Sequence, residues 1–200
     1  ALTVIMDTSA TIHAGGIPVY VDIDPNTFNM DPKDLERKIT PKTKAIIVVA
    51  LYGLPCDMDE ILRIARKYDI PVIEDNAQCF LGEYKGKLAG TFGDIASYSF
   101  ENSKHMSCGE GGIVTTNCPY LAKTMRKISN HGFINSSAKS GRTKLNLDVF
   151  QNPNYKRHDE IGWNYRLSEF TAAVAMAQLE RVDEIVKNRI EVAQMFIDVV

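Results

Sequence analysis

The sequence predicts an α/β fold, a mostly parallel sheet flanked by helices, and three observations carry that reading. Between Ile17 and about Ser99 short apolar runs (IPVYVDI, KAIIVVAL, IPVIED and IASYSF) alternate with helical patterns, the order expected of βαβ units. The helical patterns bring their own start signals. Of the 200 residues, 44% are hydrophobic and 24% charged, close to globular averages, and a chain of this length can bury a core without covalent staples.

Taken in order, IPVYVDI reads as the first strand. Asp31 then caps a helix with Pro32 at its first position and Leu35 and Ile39 facing inward. KAIIVVAL is the next strand. Asp57 with Glu60 three residues on is a capping-box arrangement, and Met58, Ile61, Leu62, Ala65 and Tyr68 share one face of the helix that follows. Arg66 and Lys67 sit at the negative end of its dipole. IPVIED and IASYSF supply two more strands. Beyond Ser99, Gly109, Gly111 and Gly112 turn the chain into IVTT, and a helix is expected around Tyr120 to Ser129. From Gly132 to about Gly162 no periodicity survives, and a structureless stretch of roughly 30 residues is uncommon in a compact domain unless it is a lid, a binding loop or disordered. A helix is expected from Leu167, with Phe170, Ala173, Val174, Ala177 and Leu179 offering small and apolar residues for close packing. The run Ile185, Val186, Arg189, Ile190, Ala193, Phe196, Ile197, Val200 continues an apolar face to the last residue, and the chain opens on Ala1. It therefore reads as a fragment: a large domain over residues 1–180, and over 181–200 the start of a helix leading toward a C-terminal small domain.

Charge and composition narrow the partners. With 23 Lys+Arg against 25 Asp+Glu the net charge is −2, unlike a nucleic-acid wrapper or an acidic tail. The longest apolar stretch, Ala45 to Cys56, is shorter than a membrane span and is broken by Gly53 and Pro55. ALTVIMDTSATIHAGG has no basic segment ahead of its apolar part, so a secretory signal is not visible and the cytoplasm is the expected compartment. Cys56, Cys79, Cys108 and Cys118 form no C-x-x-C pair and are expected to be buried thiols. His13, His131 and His158 lie far apart without carboxylates at ligand spacing, so no metal site is expected.

In open α/β sheets, ligands bind beyond the carboxyl ends of the strands. Asp75 ends IPVIED, Ser99 ends the IASYS strand, and Lys104 follows five residues later. Singly they read as a turn cap, a strand-end hydroxyl and a solvated cation. Together at one sheet edge, a carboxylate, a hydroxyl and an amine are what pyridoxal phosphate requires. GEGG precedes a strand and lacks the G-x-G-x-x-G spacing, which argues against a dinucleotide.

The segment EDNAQCFLGEYKGKLAGTFGDIASYSFENSKHMSCGEGG resembles the DegT/DnrJ/EryC1/StrS family of sugar aminotransferases, whose pattern runs E-D-x-A-Q, G-x-x-G-D, S-F-x-x-x-K and G-E-G-G. GGIPVYVDID and ITPKTKAIIVVALYGLPCDMDEI upstream, with NHG at 130–132 and GWNYRLSEFTAAVAMAQL at 162–179 downstream, extend the resemblance over nearly the whole chain. The family also has a preceding phosphate-binding turn and a small C-terminal domain.

The resemblance implies the aspartate-aminotransferase-like fold (fold type I), pyridoxal 5'-phosphate as cofactor, and a homodimer with shared sites. Lys104 would be the catalytic amine that holds the cofactor and moves the substrate proton. Asp75 would face the ring nitrogen, Gln78 the ring oxygen and Ala77 the ring itself. Ser99 would bind the phosphate, and Asn164 would reach the phosphate of the neighbouring subunit. Where the family usually stacks an aromatic ring on the cofactor, this chain has Val4. The implied reaction transfers an amino group, with glutamate the usual donor, to a nucleotide-linked ketosugar in amino-sugar biosynthesis. Alternatives are a catalytically silent relative or a sugar dehydratase, the latter branch having His in the lysine slot; the register from Ser99 and Gly109 puts Lys104, not His105, there. For the substrate, His131 in NHG is expected to face the site. In the loop after Gly132, five cations (Lys139, Arg142, Lys144, Lys156 and Arg157) stand against Asp148, Asp159 and Glu160. Lys156 and Arg157 are expected to meet a diphosphate, with Tyr155 beside them to stack.

Overall fold

Along the chain run α1 (Ile5–His13), α2 (Pro32–Lys38), β1 (Ile46–Val49), α3 (Met58–Tyr68), β2 (Val72–Asp75), the two-residue strands β3 (Glu83–Tyr84) and β4 (Lys87–Leu88), and then β5 (Ile95–Ser99). They are followed by β6 (Gly112–Thr115), α4 (Pro119–Ile128), the short strands β7 (Ser136–Ser137) and β8 (Gly141–Arg142), α5 (Leu147–Gln151), α6 (Glu169–Leu179) and α7 (Val182–Ile197). This computed structural model describes residues 2–134, 136–137, 141–142 and 146–199. The chain divides into two compact units, one of Ala1–Thr115 with Phe170–Val200 and one of Thr116–Glu169.

In the first unit the sheet order is β1-β2-β5-β6, with β1, β2 and β5 parallel and β6 antiparallel to β5. The alternation of β1 puts Ile46 and Val48 into a core shared with Val72 of β2 and with Met58, Ile61, Ile64 and Ala65 of α3. Each large apolar side chain fully buried there contributes about 1.5–3 kcal/mol relative to exposure. Half of the expected capping box forms at α3: Asp57 accepts the Glu60 N–H at 3.4 Å, while the Glu60 carboxylate turns to Arg63 Nε at 3.0 Å. Its inward face is rotated from the expected one. Ile64 is buried, and Tyr68 is exposed in the last turn, its ring beneath the Lys67 ammonium. Asp31 caps α2 through the Lys33 N–H, which places Leu35 in the same core.

Two expectations fail in this unit. IPVYVDI forms no strand beyond a single bridge from Ile23 to Met30, and Ile17 is 88% exposed. Two of its backbone groups bond helix side chains instead of a strand: Asp34 of α2 accepts the Asp22 N–H at 2.6 Å and Lys38 donates to the Tyr20 carbonyl. The face of α6 expected to pack closely is also displaced. Ala175 is the buried residue of α6, and Phe170 is 89% exposed. Ala175 joins Phe100, Met106 and Val182 in a second apolar cluster that seats α6 and α7 against the segment after β5.

In the second unit α4 forms as expected, with Pro119 in its first turn. The stretch after Gly132 is not structureless, since it holds the β7–β8 hairpin and α5. Cys118, at the N-cap of α4, is exposed and Cys108 half-buried, so burial holds only for Cys56 and Cys79; all four thiols are free. Among the described residues no helix is long and apolar enough to cross a membrane.

Candidate active site

The carboxyl ends of β2 and β5 build the site in the first unit. Asp75, 9% exposed, is in register with Ser97 of β5, and the Asn76 N–H donates to the Ser97 carbonyl at 2.9 Å. Ser99 therefore lies on the neighbouring strand, roughly 7 Å further along its direction. The chain then leaves the sheet and returns as β6. Its excursion is closed at the base by Phe100 N–H to Gly111 carbonyl (2.9 Å) and Cys108 N–H to Phe100 carbonyl (3.1 Å). Lys104 sits on this excursion, its N–H on the Glu101 carbonyl and its own carbonyl accepting from Arg189 of α7 at 2.9 Å. Among the described residues no hydrogen bond or ion pair engages its ammonium. The return through GEGG needs glycine: Gly111 has φ +151°, and a Cβ on Gly112 would lie 2.6 Å from the Tyr98 carbonyl.

Beyond Asp75 the backbone turns back on the carboxylate, whose Oδ1 accepts the Ala77 N–H at 2.9 Å. The Gln78 side-chain oxygen accepts the Tyr52 N–H at 2.8 Å, and because a backbone N–H needs an acceptor, this fixes which end of the amide faces Tyr52. The NH2 of Gln78 is left to donate. Tyr52 holds left-handed backbone (φ +54°) at this point. Val4 is the N-cap residue of α1 and, with Thr3, Ile5, Thr8 and Tyr20, lines an open cavity of about 300 Å³.

Sequence reasoning missed one acid here. Asp7, in the first turn of α1, accepts the Thr3 hydroxyl at 2.9 Å and feels the charge of Asp75. Burial and the Asp75 charge push its carboxyl up to about 6. The available signal was a lone carboxylate within ALTVIMDTSAT, which reads on its own as an ordinary acid near a helix start.

The motif carboxylates on either side of Asp75 shape the edge. Glu74, 3% exposed, accepts from the N–H groups of Gly90, Phe92 and Gly93, while Asp94 accepts from Val72. E-D and G-x-x-G-D are thus two halves of one clamp. A Cβ on Gly93 would come within 2.7 Å of the Val72 carbonyl, and one on Gly90 would meet the Tyr98 hydroxyl. His105 lies against Phe80, ring centroids 5.7 Å apart, and burial, with the nearby Arg189 and Lys104 charges, lowers its pKa.

The second unit holds the other candidates. Asn130 bridges Asn164, the His131 N–H meets the Trp163 carbonyl at 2.9 Å and Tyr165 N–H meets Ser129, so NHG and GWNYR form one element. Glycine is required there, because a Cβ on Gly162 would lie 2.2 Å from the Gly132 nitrogen. Asn164 Oδ1 accepts from Arg166 Nε at 2.8 Å, and the His131 carbonyl is bonded by the His158 ring. The Arg157 carbonyl accepts the Ile134 N–H, and half-buried Tyr155 donates its N–H to Asn152. Lys156 is exposed and acts on Asp159, whose principal partner is Lys127. Lys139 and Lys144 lie outside the described residues, as does the Arg142 side chain. The candidates thus fall into two sets, one in each unit.

A mostly parallel sheet whose carboxyl edge carries a buried carboxylate, an amide donor, a hydroxyl and a lysine defines an α/β domain of the pyridoxal-phosphate type. The donor set fits that group: an anion for a protonated ring nitrogen, N–H for the ring oxygen, O–H for the phosphate, an amine for the aldehyde, and only a methyl at Ala77. Residues 1–199 match the DegT/DnrJ/EryC1/StrS aminotransferase family, and the chain belongs to it. It is 40% identical to a GDP-perosamine synthase of Escherichia coli O157:H7 over 195 residues, 98% of this chain and 49% of that protein. An aminotransferase structure from Psychrobacter cryohalolentis superposes with TM-score 0.79 at 37% identity, covering 90% of this chain and 44% of that one. An E. coli GDP-4-keto-6-deoxy-D-mannose-3-dehydratase with bound hydrated pyridoxal phosphate gives TM-score 0.75 at 31% identity, covering 89% and 46%. The chain spans about half the length of the curated relatives it matches.

Proposed function

We propose that this chain is the cofactor-binding part of a pyridoxal-phosphate-dependent aminotransferase that transfers an amino group from glutamate to a nucleotide-linked ketosugar, in the biosynthesis of an amino sugar for a cell-surface polysaccharide or secondary metabolite. The observation that carries this is the placing of Asp75 and Ser99 on adjacent parallel strands, with Lys104 on the excursion that leaves Ser99. When bound, the cofactor supplies an electron sink for the carbon that loses its proton.

The chain's own groups do the rest. Asp75 holds the proton on the ring nitrogen, and the Ala77 N–H keeps its carboxylate in place. Gln78, aimed by Tyr52, donates to the ring oxygen; Ser99 donates to the phosphate. Lys104 Nζ anchors the cofactor and, once free, takes the proton from the substrate carbon and returns it. Asn164 serves the phosphate site of a second copy in a homodimer, and His131, Tyr155, Lys156 and Arg157 serve the sugar nucleotide. The nucleotide-linked substrate is supported by the relative named GDP-perosamine synthase. A cytoplasmic enzyme suits a soluble ketosugar substrate.

Transamination is preferred to 3-dehydration because a lysine occupies the slot and His105 is packed against Phe80. The test uses the full-length protein with pyridoxal phosphate. A visible absorbance band abolished by borohydride, and conversion of the cofactor to its amine form by glutamate, are expected. Loss of the 3-hydroxyl from a 4-keto-6-deoxy sugar nucleotide, with no amino sugar formed, would favour the dehydratase.

A further inference from the structure

Lys104 closes a short chain of hydrogen bonds that starts at the end of β5. The Glu101 N–H donates to the Ser99 hydroxyl at 3.3 Å, and the Glu101 carbonyl accepts the Lys104 N–H at 3.1 Å. The Lys104 carbonyl is then taken by a guanidinium: Arg189 Nη2 donates to it at 2.9 Å from α7, 85 positions along the chain. Packing sets this reach. Val182 and Val186, one turn apart on α7, belong to the same apolar cluster as Phe100 and Met106, which stand on either side of Lys104 in the excursion from β5. Arg189, three residues beyond Val186, is the next side chain on that face of the helix. On the inner side of the excursion Met106 is buried, and the His105 ring lies 5.7 Å from that of Phe80. The backbone of Lys104 is thus held by core packing from one direction and by one charge-assisted bond from another.

We propose that Arg189 is a positioning residue for Lys104: its bond to the Lys104 carbonyl fixes the backbone from which the amine reaches the cofactor, and so favours covalent over non-covalent binding. This rests on the assignment of Lys104 as the amine that holds the cofactor. Water could satisfy the same carbonyl, but it would not fix its direction, whereas a guanidinium carried on a packed helix does. The lysine stem is long and flexible, so the place of its Cα is what the backbone can control. Bond formation is sensitive to that placing, since a displacement of about 1 Å can cost on the order of a hundredfold in rate.

The test compares two ligands of the full-length protein. Pyridoxal 5'-phosphate condenses through its aldehyde with the Lys104 amine, a C=N bond replacing C=O with release of one water, whereas pyridoxamine 5'-phosphate binds without that bond. Dissociation constants for both are measured in the parent, in Arg189→Met and in Arg189→Ala. Each substitution should weaken the aldehyde ligand about fivefold to tenfold and leave the amine ligand within about twofold of the parent. Because Arg189 is exposed on α7, both variants should keep the parent's thermal midpoint without ligand. A purely structural role would weaken both ligands together; that result, or an unchanged ratio of the two constants, overturns the proposal. Borohydride reduction of the loaded parent, followed by peptide mass mapping, tells the two levels apart. Cofactor fixed to Lys104 leaves the lysine assignment standing even where the ratio fails, and cofactor fixed elsewhere or nowhere overturns both.

Discussion

Glu74 accepts the Gly93 N–H at 2.6 Å, and through this bond, with those from Gly90 and Phe92, the residue before Asp75 ties down the turn that feeds β5. The start of β5, at the end away from Ser99, is thereby locked to β2. Because the carboxylate is buried, replacing it leaves backbone donors without either protein or water partners.

Glu74→Gln offers one acceptor and points an NH2 at a backbone N–H. The expected loss is about 3 kcal/mol of unfolding free energy, read from the urea midpoint at unchanged slope. A loss below about 1 kcal/mol would show that the clamp does not hold the edge.

Lys104→Ala should abolish both half-reactions and the borohydride-sensitive band with no change in thermal midpoint, since the ammonium makes no hydrogen bond among the described residues and only the Lys104 backbone is tied to Glu101 and Arg189. Lys104→Arg should fail equally, because a guanidinium stays protonated. Parent-level turnover in either variant would remove Lys104 from the chemistry.

Asp75→Asn and Ser99→Ala should separate turnover from retention. The amide cannot hold a proton on the ring nitrogen, so the loss falls on kcat. Removing the hydroxyl should weaken cofactor binding by about 1–2 kcal/mol while leaving kcat close to normal at saturating cofactor. The reverse pattern would exchange the two roles.

Asp34 gives a pH prediction away from the site. The Asp22 N–H, then Arg37 and Lys38, hold its carboxyl well below the usual carboxylate range. A depressed carboxyl contributes stability that is present above the ordinary carboxylate pKa and lost as the pH falls through the folded-state value. Asp34→Asn should therefore lower the thermal midpoint at pH 7 and flatten its decline in acid. A parallel downward shift at every pH would mean that Asp34 acts through packing alone.

The strands β1, β2 and β5 were legible as short apolar runs between turn and cap signals, and the α2 and α3 caps were legible because capping chemistry is local. IPVYVDI misled because a strand also needs a neighbour, and the partners of Asp22 and Tyr20 are Asp34 and Lys38, side chains on a helix. The motif residues Asp75, Gln78, Ser99 and Lys104 were readable through their spacing and family resemblance. Asp7 and the Tyr52 N–H were not, since one feels the charge of Asp75 across 68 positions of chain and the other is a backbone group with no sequence signature.

The last prediction concerns Lys156 and Arg157, which precede GWNYR in the second unit. Their backbone is ordered by the Arg157 carbonyl's bond with Ile134 and by the Phe133–His158 bridge next to it, so the two cations stand on a fixed element. Asp159 is committed to Lys127, which limits how far it can neutralise exposed Lys156. A fixed pair of cations beside half-buried Tyr155 suits a diphosphate with a ring attached. Replacing both cations with Ala should raise KM for the sugar nucleotide several-fold, leave the glutamate half-reaction unchanged, and lose effect as salt is raised through the range where the Debye length falls from about 10 to 3 Å. Equal damage to both half-reactions would instead place the pair in the frame of the second unit, and no damage to either would point to a ketosugar that carries no diphosphate.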